Sequence, residues 1–379
     1  MTKEPLVSVI VPAWNSERTL LATLESVAAQ THRNLEIVIV DDGSTDSTAA
    51  VAAAFCEREP RARLVRKENG GLSSARNFGM SAARGDWFAP IDADDLWHRT
   101  KIEKQLALAL RSAGSVGFIY CWYREVDDAG RVLASGPRVP LSGRVFSQLA
   151  YVNAVENGSA LLLSRRAVED IGGYDESLPA LEDVMLQLRI AARYPIDLVR
   201  EHLVGWRRHS SNMSSDIDLI RRCSREVYSR LIAERAPLPP RVVRRVWARN
   251  AFHTVKQRAD AGEYATALAW LARALAGDPL RSTILLGHRA ARSIRQRLGR
   301  PGRVLRISRF EEVDPAAELL MDPFDLPQVQ ALLDAIDRRR LDRLSRLDAK
   351  LAGSRSGNFL RKTPGVDVAD TQSGKRKQT

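Results

Sequence analysis

The stretch Ile91-Asp92-Ala93-Asp94-Asp95-Leu96-Trp97 places three carboxylates directly after a hydrophobic run over residues 87–91. In an extended segment, residues two apart point to the same side, so Asp92 and Asp94 can approach one ligand while Ala93 faces away. Oxygen ligands on one side suit a hard divalent cation, which often completes its coordination with substrate phosphates. Acidic runs after strands also serve as turns and helix caps. The stretch therefore predicts either a Mg²⁺ or Mn²⁺ site for a diphosphate or a simple turn.

The first hundred residues alternate apolar runs with helix-like segments, which is typical of an α/β sheet. Ser16 is expected to cap the first helix, and Asp95 to cap one that begins near Trp97. Acidic residues follow two of the strands, at Asp41-Asp42 and at Asp92. Because ligands bind at the carboxyl ends of strands in open α/β sheets, this placement favours a ligand site over a simple turn. The strands are predicted at residues 7–11, where Pro12 ends the first one, and at 35–40, 63–65 and 87–91.

The remainder of the chain divides into a continuation of the sheet and a helical region. Further strands are predicted at residues 117–122 and 159–163, and Glu182-Asp183 opens a helix over 184–193. After about Ser215 the strand patterns cease and long helical patterns follow. The tail is basic and poor in apolar residues, which is typical of disorder. We expect an α/β domain over residues 1–214, a helical region over 215–352 and a disordered basic tail over 353–379.

Charge and composition exclude several classes of protein. The 379-residue chain has a formal net charge of +12 and a pI near 10.0. The sequence has clusters of arginine, but it has neither zinc-finger spacing nor an aromatic RNA-binding strand. Nucleic acid is therefore not an expected partner. A solvated basic face, or weak peripheral attraction to an anionic membrane surface, accounts for the charge. Its three cysteines are far apart, so neither a zinc site nor a disulfide framework is expected. Without a long apolar run or a secretory start, we expect a cytoplasmic protein, with contact at the inner face of the membrane as the alternative.

Four motifs that follow one another over about a hundred residues resemble the family 2 glycosyltransferases with a GT-A fold. They lie at residues 9–15, 40–46, 69–77 and 92–95. The resemblance implies a mixed, mostly parallel GT-A-like sheet with flanking helices and a helical C-terminal region. It also implies metal-dependent, inverting transfer of a sugar from a nucleotide-sugar donor, with a UDP-sugar expected, to an acceptor hydroxyl. Polysaccharide or glycoconjugate biosynthesis is the expected setting, and the acceptor could be a glycan, a lipid-linked sugar or another hydroxyl compound.

The resemblance also assigns residues. It implies that Asp183 is the catalytic base, that Asp92 and Asp94 bind the metal and diphosphate, and that His209 is either a metal ligand or a solvated side chain. We expect Glu182 and Trp97 to lie on the acceptor side or to support the site. The alternative role of Glu182 is to cap the helix N-terminus. The donor-binding set that the resemblance implies comprises Pro12, Ala13, Trp14, Asn15, Asp41 or Asp42, Arg76, Asp92, Ala93 and Asp94, although Arg76 has an alternative role in pairing with a carboxylate.

Two other functions compete with glycosyl transfer. A nucleotidyltransferase would carry a glycine-rich basic loop after the first strand, where this chain has Pro12-Ala13-Trp14-Asn15. A catalytically silent scaffold or binding module that uses the helical half is the non-enzyme alternative. Loss of a motif carboxylate would favour it, and Asp92, Asp94 and Asp183 are all present. One departure from relatives is Arg99, where many have proline, and this leaves the course of that loop open.

Overall fold

The computed structural model describes residues 4–112, 115–208, 216–234, 238–287, 309–317 and 327–353. Strands within these residues form one mixed sheet. They are β1 Val7–Ala13, β2 Leu35–Asp41, β3 Ala62–Arg66, β4 Trp87–Pro90, β5 Leu96–Trp97, β6 Phe118–Val126, β7 Val132–Ser135, β8 Leu162–Ser164 and β9 Ile196–Arg207. Their order across the sheet is β3-β2-β1-β4-β8-β6-β9-β5, with β7 paired to β6. The GT-A-like α/β architecture expected from the sequence is confirmed.

The first four strands are parallel and form half of the sheet. Every residue of β1 and β2 is buried, because helices cover both faces and the strands are nearly continuous apolar runs. The prediction that Pro12 ends the first strand is wrong. Pro12 lies opposite Val40 and β1 continues to Ala13. The carboxyl ends of β1, β2 and β4 therefore meet at one edge of the sheet.

Helices flank this sheet and then continue as a separate layer. They are α1 Leu20–Ala28, α2 Thr48–Arg58, α3 Leu72–Ala82, α4 Lys101–Arg111, α5 Phe146–Tyr151, α6 Arg165–Ile171, α7 Glu182–Ala191, α8 Ile217–Ala233, α9 Pro240–Asp260, α10 Tyr264–Gly277, α11 at 279–287 and α12 Pro327–Gly353. The prediction that Ser16 caps the first helix is wrong. Its carbonyl accepts from the N–H groups of Thr19 and Leu20, and α1 begins one turn later. None of the described helices is both long enough and apolar enough to cross a lipid bilayer.

The second half of the sheet is mixed. β8 runs antiparallel to β4 and β6, whereas β6 and β9 pair in parallel along most of their length. The strand predicted at 159–163 begins later than expected, because Gly158–Ala160 forms a turn of 3-10 helix at the edge of the sheet. The Asn157 side chain caps this turn by accepting from the N–H of Ser159. The segment before β8 is thereby bent toward the same edge as the carboxyl ends of β1 and β4.

The helices after residue 215 share the main hydrophobic core with the sheet. Val227, Tyr228 and Leu231 of α8 belong to it, and so does Leu344 of α12. Asp348 of α12 accepts from the N–H of Ser147 at the start of α5, with N···O distances of 3.1 and 3.2 Å. The division at residue 214 stays a proposal. Nearly all of the predicted tail lies outside the described residues.

Candidate active site

A cavity of about 1000 Å³ lies at the carboxyl edge of the sheet. The turn after β1, the end of β2, the start of α3 and the turn after β4 form one part of its wall. The turn after β6, residues before β8, the start of α7, the end of β9 and α8 form the rest. Eleven of the residues singled out in the sequence line it: Pro12, Ala13, Trp14, Asn15, Asp42, Arg76, Asp92, Ala93, Asp94, Glu182 and Asp183. Others that line it are Arg18, Asn69, Asp128, Glu156, Trp206 and Ile220.

The lining is strongly acidic although the chain as a whole is basic. Seven carboxylates and two guanidinium groups are found among the described residues of the wall: Asp42, Asp92, Asp94, Asp128, Glu156, Glu182 and Asp183 against Arg18 and Arg76. Carboxylates at this density repel one another and repel an anionic ligand. A diphosphate in this cavity therefore requires a cation with it.

The acidic stretch after β4 is a turn and not an extended segment. The N–H of Asp95 donates to the carbonyl of Asp92 at 3.1 Å, and the chain reverses through Ala93 and Asp94. The expectation that alternation along a strand would align two carboxylates is therefore wrong in its geometry. Both Asp92 and Asp94 nevertheless border the cavity, because the turn itself projects into it.

Arg76 joins this turn to α7. Its side chain is 2% exposed, and its Nη2 and Nη1 atoms lie 2.5 Å from Asp92 Oδ1 and 2.6 Å from Glu182 Oε1. Burial lowers the pKa of Arg76, but the negative charge of Asp92, together with that of Glu182 and Asp183, holds it well above its ordinary value. The guanidinium also lies over the ring of Tyr174, 5.1 Å from its centroid. Arg76 is thus a fixed cation between two sets of carboxylates. Pairing with a carboxylate is the alternative role that the sequence predicted for it.

Asp183 lies in the first turn of α7. Leu181, the residue before α7, also borders the cavity and has a φ of 60°, a left-handed conformation that is uncommon for leucine. Burial first, and then the charge of Glu182, raise the pKa of Asp183 to about 7. A carboxylate with a pKa near neutrality can accept a proton from a ligand and release it to water. A pKa in this range is the one that the predicted general-base role of Asp183 requires, and that role stays a prediction.

The two aspartates after β2 have different surroundings. Asp42 borders the cavity and accepts from Lys67 Nζ at 2.7 Å and from the N–H groups of Gly70 and Gly71 at 3.1 and 2.9 Å. Asp41 is fully buried, accepts from the N–H of Ser44 at 3.0 Å and pairs with Arg66 at 2.9 Å. Of the two residues that the sequence left open for donor contact, Asp42 is the one that reaches the cavity.

The turn after β1 brings its side chains to the cavity through a left-handed residue. Asn15 has a φ of 47°, and its Oδ1 atom accepts from the N–H of Thr45 at 2.9 Å. This bond ties the turn after β1 to the turn after β2. Trp14 is 56% exposed, so its indole is available to a ligand.

Sequence reasoning missed a buried network around Asp95. This carboxyl accepts from Ser159 Oγ at 2.6 Å, from Asn157 Nδ2 at 2.9 Å and from the N–H of Arg207 at 3.1 Å. Burial, followed by the charges of Asp94 and Asp92, raises its pKa well above the ordinary value. The predicted helix cap at Asp95 is wrong, because α4 begins at Lys101 after Thr100. The Asn157-Gly158 turn dipeptide was the available signal for its partners.

Trp97 is not in the cavity wall. Trp97 is 4% exposed, and its Nε1 donates to the carbonyl of Ser159 at 2.9 Å, which places it in a supporting position. The Nζ atom of Lys101 lies 3.9 Å from the centroid of the Trp97 ring. His209 lies outside the described residues.

Fold and cavity together define an α/β domain of the kind that binds ligands at the carboxyl edge of its sheet. Residues 8–172 match the family model described as Glycosyl transferase family 2. The chain therefore contains a glycosyltransferase family 2 domain, and the resemblance seen in the sequence is confirmed.

Curated relatives are similar over the same region. An uncharacterized glycosyltransferase of Rickettsia felis is 32% identical over 218 residues, which cover 56% of this chain and 36% of that protein. The glycosyltransferase GlyG of Streptococcus pneumoniae is 39% identical over 99 residues, which cover 26% of this chain and 33% of that protein. The chain thus spans about a third of the length of both relatives.

Solved structures share the fold at low sequence identity. A mannosyltransferase from Pyrobaculum calidifontis, in complex with GDP-mannose and Mn²⁺, has a TM-score of 0.55 at 23% identity and covers 77% of this chain and 81% of its own. TarS of S. aureus has a TM-score of 0.50 at 18% identity, with 82% and 98% covered. At such identities the likeness concerns the fold alone.

Proposed function

We propose that this chain transfers a sugar from a nucleotide-sugar donor, with a UDP-sugar as the expected donor, to an acceptor hydroxyl with inversion at the anomeric carbon. One observation carries the proposal. The turn after β1, the Asp92–Asp94 turn and Asp183 border a single cavity, so groups suited to a nucleotide, a diphosphate and a proton are within reach of one ligand pair. The family 2 domain supports the same reaction class.

Donor contacts follow from the wall of the cavity. The turn from Pro12 to Asn15 and the Asp42 carboxylate are proposed to hold the nucleoside, with Asp42 accepting a base N–H. The Arg76 guanidinium is proposed to face the sugar diphosphate while it remains paired with its carboxylates. The fold neighbour from Pyrobaculum calidifontis binds GDP-mannose with Mn²⁺. We extend that ligand class, a nucleotide sugar with a divalent cation, to this cavity.

The residues present fit a Mn²⁺ or Mg²⁺ ion. Asp92 and Asp94 supply carboxylate oxygens, and such ions are commonly held by one or two carboxylates together with water and substrate phosphates. Within the described ranges no group of three or more His, Cys, Asp or Glu side chains could hold a metal, so phosphates and water would complete the coordination. Such an ion, when bound, neutralises the negative charge that grows on the leaving diphosphate.

The chain's own residues account for the proton and the orientation of the donor. Asp183 accepts the proton of the acceptor hydroxyl as the oxygen attacks the anomeric carbon and the bond to the diphosphate breaks. A single base and a single displacement give inversion, by the geometry that separates inverting from retaining glycosidases. Arg76 keeps the start of α7 and the Asp92 turn at a fixed separation, because it pairs with both.

A substitution of the base tests the reaction. We expect Asp183→Asn to bind donor as the wild type does and to lose transfer by about 100-fold or more, since general-base catalysis contributes that much. Binding is followed by thermal shift with UDP- and GDP-sugars, with Mn²⁺ and with EDTA, and transfer by release of the nucleoside diphosphate. Glu103→Gln is the matched control, a carboxylate in the first turn of α4 outside the cavity. Wild-type transfer by Asp183→Asn would overturn the role of the base, and absence of any donor binding would favour a scaffold.

A further inference from the structure

Trp206, at the end of β9, provides a flat apolar surface in the wall of the cavity. Tyr123 meets its ring edge-on, with centroids 5.2 Å apart and planes at 83°. The Arg208 guanidinium lies 4.5 Å from the centroid of the indole ring. These contacts fix the indole, and the side chain stays partly exposed to the cavity. A fixed, partly exposed aromatic ring suits a ligand with an apolar face of similar size.

Glu156 is held beside this surface by the same tyrosine. The hydroxyl of Tyr123 donates to Glu156 Oε2 at 2.6 Å. Burial, with the neighbouring charge of Glu156, raises the pKa of Tyr123 far above its ordinary value, so the phenol keeps its proton and stays a donor. The Glu156 side chain is open to the cavity, and a carboxylate has several acceptor positions. Glu156 can therefore accept hydrogen bonds from ligand hydroxyls while Tyr123 holds it in place.

The charge near Trp206 disfavours an anion. Asp128, Glu156 and Asp183 line the same cavity as Trp206. Among the described lining residues the guanidinium groups are Arg18 and Arg76, and Arg76 is already paired with two carboxylates. The Arg208 guanidinium beside the indole lies 3.8 Å from a carboxylate oxygen of Glu125, which offsets its charge. A phosphate placed here would meet like charges at short range, which costs binding energy and selects against anionic partners.

We infer that this part of the cavity is an acceptor subsite for an uncharged sugar residue, whose ring stacks on Trp206 and whose hydroxyls donate to Glu156. The inference rests on the proposed function, because it takes Asp183 as the group that receives the proton of the reacting hydroxyl. A sugar ring has a C–H face that matches an indole and a rim of hydroxyls that matches carboxylate acceptors. Specificity for an acceptor without phosphate follows from the acidic wall.

Binding of matched glycosides tests the subsite without requiring turnover. Methyl hexosides and their 6-phosphates are titrated against the full chain with UDP and Mn²⁺ present, and binding is followed by saturation-transfer NMR. We expect the neutral glycoside to bind at least about 10-fold more tightly than its phosphate, because the phosphate would lie close to like charges. Trp206→Ala should raise the Kd of the neutral glycoside about 10-fold, and Trp206→Phe should retain most of the affinity, since an aromatic surface is kept.

Two controls separate this inference from the proposed function. Trp270→Ala removes a tryptophan of α10 that is not in the cavity wall and should leave the glycoside Kd unchanged. The Kd of UDP, measured on the same samples, should not change in Trp206→Ala. Tighter binding of the 6-phosphate or of a cationic amino-hexoside, no detectable binding of neutral hexosides, or an unchanged glycoside Kd in Trp206→Ala would overturn the inference. Failure of UDP to bind while the glycosides bind as expected would count against the donor proposal alone.

Discussion

Asp183, which is partly buried, and Asp95, which is fully buried, both have raised pKa values, first from burial and then from neighbouring carboxylates. Their partners decide what each group does. Asp95 accepts from three donors on two segments and so shapes the turn that carries Asp92 and Asp94. Asp183 borders the cavity and accepts from the N–H of Val184 at 2.7 Å. At the scale of the residue, one buried carboxylate builds the site and the other is available to a ligand.

The raised pKa of Asp183 predicts a pH dependence. Because the base must be deprotonated, kcat/KM should fall about tenfold per pH unit as the pH drops below the pKa of about 7, and level off above it. The measurement is the pH profile of nucleoside diphosphate release at a fixed Mn²⁺ concentration. A profile that stays flat from about pH 5.5 to about pH 8.5 would contradict this role for Asp183.

Removal of the Asp95 carboxyl should destabilise the protein. Asp95→Ala leaves the donors of Asn157, Ser159 and Arg207 without their acceptor in a buried position, and we expect a loss of about 3 kcal/mol in the free energy of unfolding. Urea unfolding measures it. Asp86→Ala is the control, an exposed aspartate just before β4, and should change stability by less than about 0.5 kcal/mol. Equal stability of the two variants would show that the Asp95 network contributes little.

At the scale of the element, tight turns at the ends of the strands set the shape of the cavity. Gly43, in the turn after β2, has a φ of 74°, and a Cβ atom added there would lie 2.8 Å from the backbone nitrogen of Asn69. Asn69 borders the cavity, and so does Asp42, the residue before Gly43. The close approach of these two turns therefore requires glycine for space as well as for its backbone conformation.

Substitution of this glycine separates the two requirements. Gly43→Ala should lower stability by about 3 kcal/mol, because it adds a clash to the cost of about 1–2 kcal/mol for a left-handed alanine. Gly262→Ala is the matched control, with a φ of 76° and open space around the new Cβ, and should show the conformational cost alone. Thermal unfolding and the Kd of UDP are measured on both variants. A similar loss in both would mean that the contact with Asn69 relaxes.

At the scale of the whole molecule, α12 packs against the α/β domain. Arg340 binds Asp278 through Nη1 and Nη2 at 2.6 and 2.8 Å, and its Nη1 donates to the hydroxyl of Tyr151 at 2.7 Å. The two charged side chains are 10% and 5% exposed. The ion pair joins α12 to the end of α10, and the bond to Tyr151 links both of them to α5.

A double-mutant cycle tests this ion pair. Arg340→Leu should cost about 3 kcal/mol or more, since it leaves the Asp278 charge buried without its partner. Arg340→Leu combined with Asp278→Leu should recover most of that loss, because two apolar side chains leave no uncompensated charge. Chemical unfolding of the two single variants and the double variant gives the coupling energy. Additive losses would show that the pair does not act as a unit.

The amino-acid sequence by itself determined the parallel strands, the order of the four motifs and eleven of the residues that line the cavity. These depend on local patterns: continuous apolar runs that are buried on both faces, and acidic residues where each run ends. Asp92 and Asp94 reach the cavity because the carboxyl ends of parallel strands share one edge, and Asp183 reaches it from the first turn of α7. The local geometry was harder to predict, as the Ser16 cap and the extended Asp92–Asp94 segment show.

Only the tertiary structure decided how those residues are used. Arg76 bridges Asp92 to Glu182 over a separation of 106 residues from the latter, and Asp95 joins segments up to 112 residues apart. The surface formed by Trp206, Tyr123 and Glu156 likewise comes from β9, β6 and the segment before β8. Contacts of this range depend on packing between elements. They leave no local periodicity in the chain, because a partner so distant in sequence is chosen by the fold and not by its neighbours.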